Sequence, residues 1–129
     1  MFRALLATAL LLAAACGKPQ IALPPQLEVL SFSPENGSVS VDTELSVTVE
    51  FDAKLDQATV TADSLFLLDG TQKVPVRRAF PEGGDVVVLI PTAPLDGATV
   101  YQTVVTTDVA SVQGATLSGE LRSRFTTED

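Results

Sequence analysis

From Leu27 onward, apolar and polar residues alternate in short runs. The clearest run is 43–51, where Leu45, Val47, Val49 and Phe51 alternate with Glu44, Ser46, Thr48 and Glu50. A period of two puts one set on a buried face of a strand and the other in water. Residues 27–32 predict a shorter strand before it, stopped by Ser33-Pro34, and Glu35-Asn36-Gly37-Ser38 carries turn chemistry. Further strands are predicted at 65–68, ended by Asp69-Gly70, and at 74–80. Pro75 cannot donate to a ladder, which assigns the latter to a sheet edge or a bulge. After the turn Pro81-Glu82-Gly83-Gly84, Val86-Val87-Val88-Leu89-Ile90 is apolar at every position. Such a run predicts a central strand, here bracketed by Asp85 and Pro91 as gatekeepers. Runs at 100–106 and 121–126 complete seven strands. No stretch has a period of 3.6, and residues 53–63 are assigned one helical or irregular turn at most.

Seven short strands separated by turn signals predict an all-β fold, an antiparallel β-sandwich of about seven strands. A small closed barrel is the competing architecture. No internal repeat is visible, so residues 27–129 are read as one domain.

The first residues follow another pattern. Arg3 precedes an uninterrupted small and apolar run of 12 residues, Ala4 to Ala15. That is the length of a signal-peptide core and too short for a membrane-spanning helix. Ala13, Ala14 and Ala15 lead directly into Cys16, the single cysteine of the chain. Residues 1–15 therefore predict a signal peptide. The segment resembles a bacterial lipoprotein signal, which implies that Cys16 becomes the acylated first residue of the mature protein. That family prefers Leu where Ala13 stands, and Ala13-x-Ala15 also fits an ordinary secretory cleavage site. By the same resemblance, Gly17 rather than Asp after the cysteine implies the outer membrane. Residues 16–26 contain Pro19, Pro24 and Pro25, which favour extended polyproline II and predict a spacer.

Composition then narrows the chemistry. The 129 residues include 8 Lys and Arg, 16 Asp and Glu, no His and one Cys, for a formal net charge of −8. Without His the commonest general base and metal ligand is missing. One Cys excludes an internal disulfide and a thiolate zinc cluster. The acidic balance argues against a nucleic-acid partner.

The strands fall in a recognisable order. Ser33-Pro34 with Gly37-Ser38-Val39 comes first, then Val41-Asp42-Thr43-Glu44-Leu45, Val47-x-Val49-x-Phe51-Asp52 and Leu55-Asp56. Leu95-Asp96-Gly97-x-x-Val100-Tyr101, Gly114-x-x-Leu117 and Phe125-Thr126-Thr127 follow. Over residues 28–127 this resembles the bacterial Ig-like domain of surface-layer and secreted proteins, the SbsA Ig-like type. Lys54 stands where that family usually has Pro, and Ser111 and Ala115 where it has Asp and Asn. The resemblance implies an immunoglobulin-like sandwich of seven strands used as a structural or interaction module, without catalytic residues.

Candidate residues are few. Tyr101 opens a strand after Leu95-Asp96-Gly97, where an Ig-like sandwich places a tyrosine corner. Its assignment is structural. Glu50, Asp52, Asp56 and Asp63 crowd a short stretch, and Asp52, Asp56 and Asp63 are candidate calcium ligands. No EF-hand-like spacing supports them, and a solvated face is the simpler reading. Arg77 and Arg78 mark a candidate interaction edge at 73–80, though neighbours in a strand point to opposite faces. Strand 27–32 is the competing edge. Arg122 and Arg124 share a face and are expected to pair with surplus acids, with recognition of an anionic glycan or lipid headgroup as the minor reading. Small copper-binding sandwiches share this strand order but use His and Met, and the only Met here is Met1.

The expectation is a non-enzymatic, exported, lipid-anchored protein at the outer membrane or cell surface, without cofactor. Its partners would be the membrane, through the N-terminal lipid, and an envelope protein or glycan. The alternatives are a calcium- or glycan-binding accessory module, or a non-catalytic subunit of an envelope complex.

Overall fold

A computed structural model of the chain describes residues 26–81 and 83–129. The signal segment 1–15, Cys16 and the tether up to residue 25 lie outside the described residues.

Among the described residues, nine strands build two facing sheets: β1 (Val29–Ser33), β2 (Ser38–Val41), β3 (Val47–Phe51), β4 (Leu65–Asp69), β5 (Gln72–Lys73), β6 (Val76–Ala79), β7 (Val86–Pro91), β8 (Val100–Val105) and β9 (Leu121–Thr127). One sheet runs β1-β3-β7-β6 and the other β2-β9-β8-β4-β5. Neighbours pair antiparallel except β2 and β9, which are parallel. The architecture is an open sandwich, not a barrel. Two strands go beyond the seven expected, β2 and β5. The strand expected at 43–51 begins only at Val47, because Asp42 accepts the Glu44 N–H (2.8 Å) and bends the chain there.

The alternating pattern has the consequence its period requires. Val47, Val49 and Phe51 are completely buried, while Thr48 and Glu50 between them are half-exposed. Facing them across the sandwich are Leu65, Leu67, Tyr101, Val105 and Phe125. Burying side chains of this size is worth about 1.5–3 kcal/mol each, which makes this layer the main stabilising term. The wholly apolar β7 lies between β3 and β6, and the proline-flanked β6 is an edge. A single 3-10 turn, Gln57–Thr59, occupies the irregular stretch, capped by the Asp56 carboxylate.

Gly37 takes φ +90, which a side chain rarely tolerates, and turns the chain from β1 in one sheet to β2 in the other. Its N–H donates to the Arg124 carbonyl (2.7 Å). Just past the end of β9, a Cβ on Gly97 would stand 2.9 Å from the Glu128 carbonyl oxygen. Glycine there lets the last residues fold against the 96–99 loop.

Candidate interaction surfaces

Tyr101 is buried in the core layer, 2 % exposed. Its hydroxyl accepts the Asp96 N–H (2.8 Å), and its ring stacks on Phe125, with centroids 5.7 Å apart. Burial raises its pKa above the ordinary tyrosine value, and the Asp96 and Asp69 carboxylates add to that rise. The group is fixed to backbone five residues upstream, in the place of a corner rather than a reactive acid.

The three calcium candidates serve separate local purposes. Asp52 accepts the Glu28 N–H (3.0 Å) and holds the start of the first sheet edge. Asp56 caps the 3-10 turn through the Ala58 N–H (3.1 Å). Asp63 pairs with Lys73 at 2.6 Å, and that hydrogen bond and charge lower its pKa. Lys73 in turn lies 4.6 Å from the centre of the Phe66 ring. Among the described residues no three acidic, Cys or His groups gather into a metal-holding cluster.

At the proposed edge, register decides the two arginines differently. Arg77 pairs opposite Ile90 and faces out, whereas Arg78 pairs opposite the buried Leu89 and faces in. Arg78 Nε and Nη2 both donate to the Leu65 carbonyl of β4, at 3.0 and 2.7 Å. Its guanidinium therefore joins one sheet to the other along the open side of the sandwich. Partial burial lowers its pKa, though a guanidinium stays charged. The reading of both charges as available for a partner is corrected: Arg77 remains exposed, and Arg78 is engaged within the fold.

The outer face of the second sheet carries a different basic pair. Gln102 and Arg124 stand opposite one another on β8 and β9, and so do Val104 and Arg122. Val104 points away from the core yet is completely buried, flanked on its face by Phe66 and Arg122. Arg122 Nε donates to Glu120 (2.8 Å) and its Nη1 to Gln102 Oε1 (3.0 Å). Arg124 makes no ion pair with any described residue, so the expected pairing with acids holds for one arginine of the two. Asn36 comes in from the β1–β2 turn, its Oδ1 accepting the Arg124 N–H (2.9 Å). Asn36, Gly37, Gln102, Arg122 and Arg124 line an open hollow of about 440 Å³. Sequence pattern alone reveals the shared face of Arg122 and Arg124. It carries no signal for Asn36, 88 positions away, or for Gln102.

Residues 24–127 match the family model described as bacterial Ig-like domain. No curated protein sequence matches the chain. Among solved structures, surface layer protein SbsC, domains 1–6, is similar at 17% identity and a TM-score of 0.58. That likeness covers 80% of this chain and 14% of the SbsC chain, so the present chain spans a small part of that protein. The copper resistance protein PcoC from Escherichia coli is similar at 19% identity and a TM-score of 0.61, covering 78% and 99% of the two chains. A fragment of Escherichia coli alpha-2-macroglobulin spanning domains MG0-NIE-MG1 is similar at 17% identity and a TM-score of 0.61, covering 81% and 32%. At such identities the likeness is one of fold alone.

Proposed function

The chain belongs to the bacterial Ig-like domain family, and from that premise we propose that it is an exported, lipid-anchored protein whose sandwich works without catalysis, as a structural or interaction module at the bacterial envelope. The observation that carries the module reading is the family match over residues 24–127. An Ig-like sandwich is a non-catalytic type of module, and its described polar side chains support that role here. Asp42, Asp52 and Asp56 hold turns, a strand start and a cap, and Ser64 and Thr59 bind neighbouring backbone. With no His in the chain, none of these hydroxyls has an imidazole base to activate it.

The anchor rests on sequence. Cys16 follows a 12-residue small and apolar run that ends in three alanines, and the proline-containing spacer after it leads to the first bridge of the sandwich, Gln26 with Thr116. Polyproline II rises about 3 Å per residue, so about ten residues of it span about 30 Å. Cys16→Ser is expected to move the protein from the membrane fraction to the soluble exported fraction. Mass spectrometry of the wild-type N-terminus is expected to show an acylated Cys16. A soluble, unacylated wild type would establish the ordinary secretory route instead.

A further inference from the structure

The hollow on the outer face of the second sheet has a donor-rich composition. Both amides that line it have their oxygen engaged: Asn36 Oδ1 by the Arg124 N–H, Gln102 Oε1 by Arg122 Nη1. Because each oxygen meets an obligate donor, the amide orientations are fixed. What Asn36 and Gln102 retain is an NH₂ group each. Arg124 adds a whole guanidinium, and Arg122 adds the N–H groups it does not give to Glu120 and Gln102. Guanidinium groups have no acceptor atom at all. The side chains around the hollow therefore offer N–H groups, which suits an anion with several acceptor oxygens. Glu120 on Arg122 shows the matching geometry, a carboxylate oxygen 2.8 Å from Nε. Arg124 is an equivalent cation with no described carboxylate on it.

Spacing narrows the anion. Arg122 and Arg124 are two residues apart on one strand, so their Cα atoms are about 6.6 Å apart. Acidic residues at alternate positions of an extended peptide have the same repeat. The pair lies on the outer face of the sheet, with Arg122 near the start of β9 and Arg124 further along it.

We propose that Asn36, Gln102, Arg122 and Arg124 form the docking surface for an extended acidic segment of a partner protein, with carboxylates at alternate residues seated on the two arginines. This deepens the interaction-module reading and rests on it, but not on the lipid anchor, so the two fail separately.

The test uses the intact chain in detergent and a synthetic peptide alternating Glu and Thr, with Gln in place of Glu as control. Binding by calorimetry is expected for the Glu peptide at an ionic strength of about 0.01 M, weakening toward 0.15 M as the Debye length falls from about 30 to about 8 Å. Arg124→Gln should weaken it about tenfold or more. Asn36→Asp should do likewise: it keeps the oxygen that accepts the Arg124 N–H and replaces the outward NH₂ by a second acceptor. Both variants should melt as wild type does. The exposed Arg77→Gln should leave binding unchanged. No binding at low salt, or binding that survives Arg124→Gln and Asn36→Asp, overturns the proposal. Binding to anionic vesicles or a sulfated oligosaccharide without binding to the Glu peptide overturns it as well.

Discussion

Strands β6 and β9 each carry two arginines. In β6 they are adjacent, Arg77 and Arg78; in β9 one residue separates Arg122 from Arg124. Alternation of side chains sends the first pair to opposite faces and the second pair to one face. The inward Arg78 becomes part of the scaffold by binding the Leu65 carbonyl of the opposite sheet. Both β9 arginines stay outside, while Ser123, Phe125 and Thr127 fill the interior side of their strand. The same residue type thus serves cohesion in one strand and surface charge in the other, and a one-residue difference in spacing separates the roles.

Substitutions can break this contrast in order of effect. Phe125→Ala empties the core beneath β9 and removes the partner of the Tyr101 ring. It should cost about 3–5 kcal/mol, read from urea unfolding. Arg78→Met keeps much of the aliphatic bulk but leaves the fully buried Leu65 without its side-chain donors. A loss of about 1–3 kcal/mol is expected by the same measurement. Ser123 reverses the sign. Its hydroxyl is buried with no hydrogen-bond partner, so Ser123→Ala should raise stability by about 1 kcal/mol. Smallest are the outward arginines: Arg77→Gln and Arg124→Gln should each shift stability by less than about 0.5 kcal/mol in thermal melts. A large loss at Arg124, or none at Arg78, would invert the comparison.

Local chemistry explains which parts of the fold were legible in the sequence. Val47, Val49 and Phe51 announce a strand because burial on one face leaves a period of two. Pro75 announces the edge at β6 because it lacks an N–H. By contrast, β2 is four residues of alternating Ser and Val, with Ser40 at φ +55, and it pairs with a strand at the far end of the chain. Nothing local records that pairing, since its partner is chosen by tertiary geometry. The two-residue β5 is too short to carry any period. The surface divides in the same way. That Arg77 and Arg78 face apart is readable from their numbers, but the Leu65 carbonyl that engages Arg78 belongs to another sheet. Likewise Arg122 and Arg124 read as one face, while the amides of Asn36 and Gln102 reach them only through folding.

The parallel pairing of β2 with β9 has a mechanical consequence. The described chain comes in beside Thr116, near the start of β9, and leaves beyond Thr127, at its end. Tension applied between Gln26 and Asp129 draws β9 one way along its axis and pulls β2, through β1, the other way. The rungs between Ser38 and Phe125 and between Val41 and Thr127 then carry load in shear, side by side. Shear requires such rungs to yield together, whereas peeling would open them one at a time. A module held at one end and pulled at the other thus meets the force with β2 and β9 in their more resistant orientation.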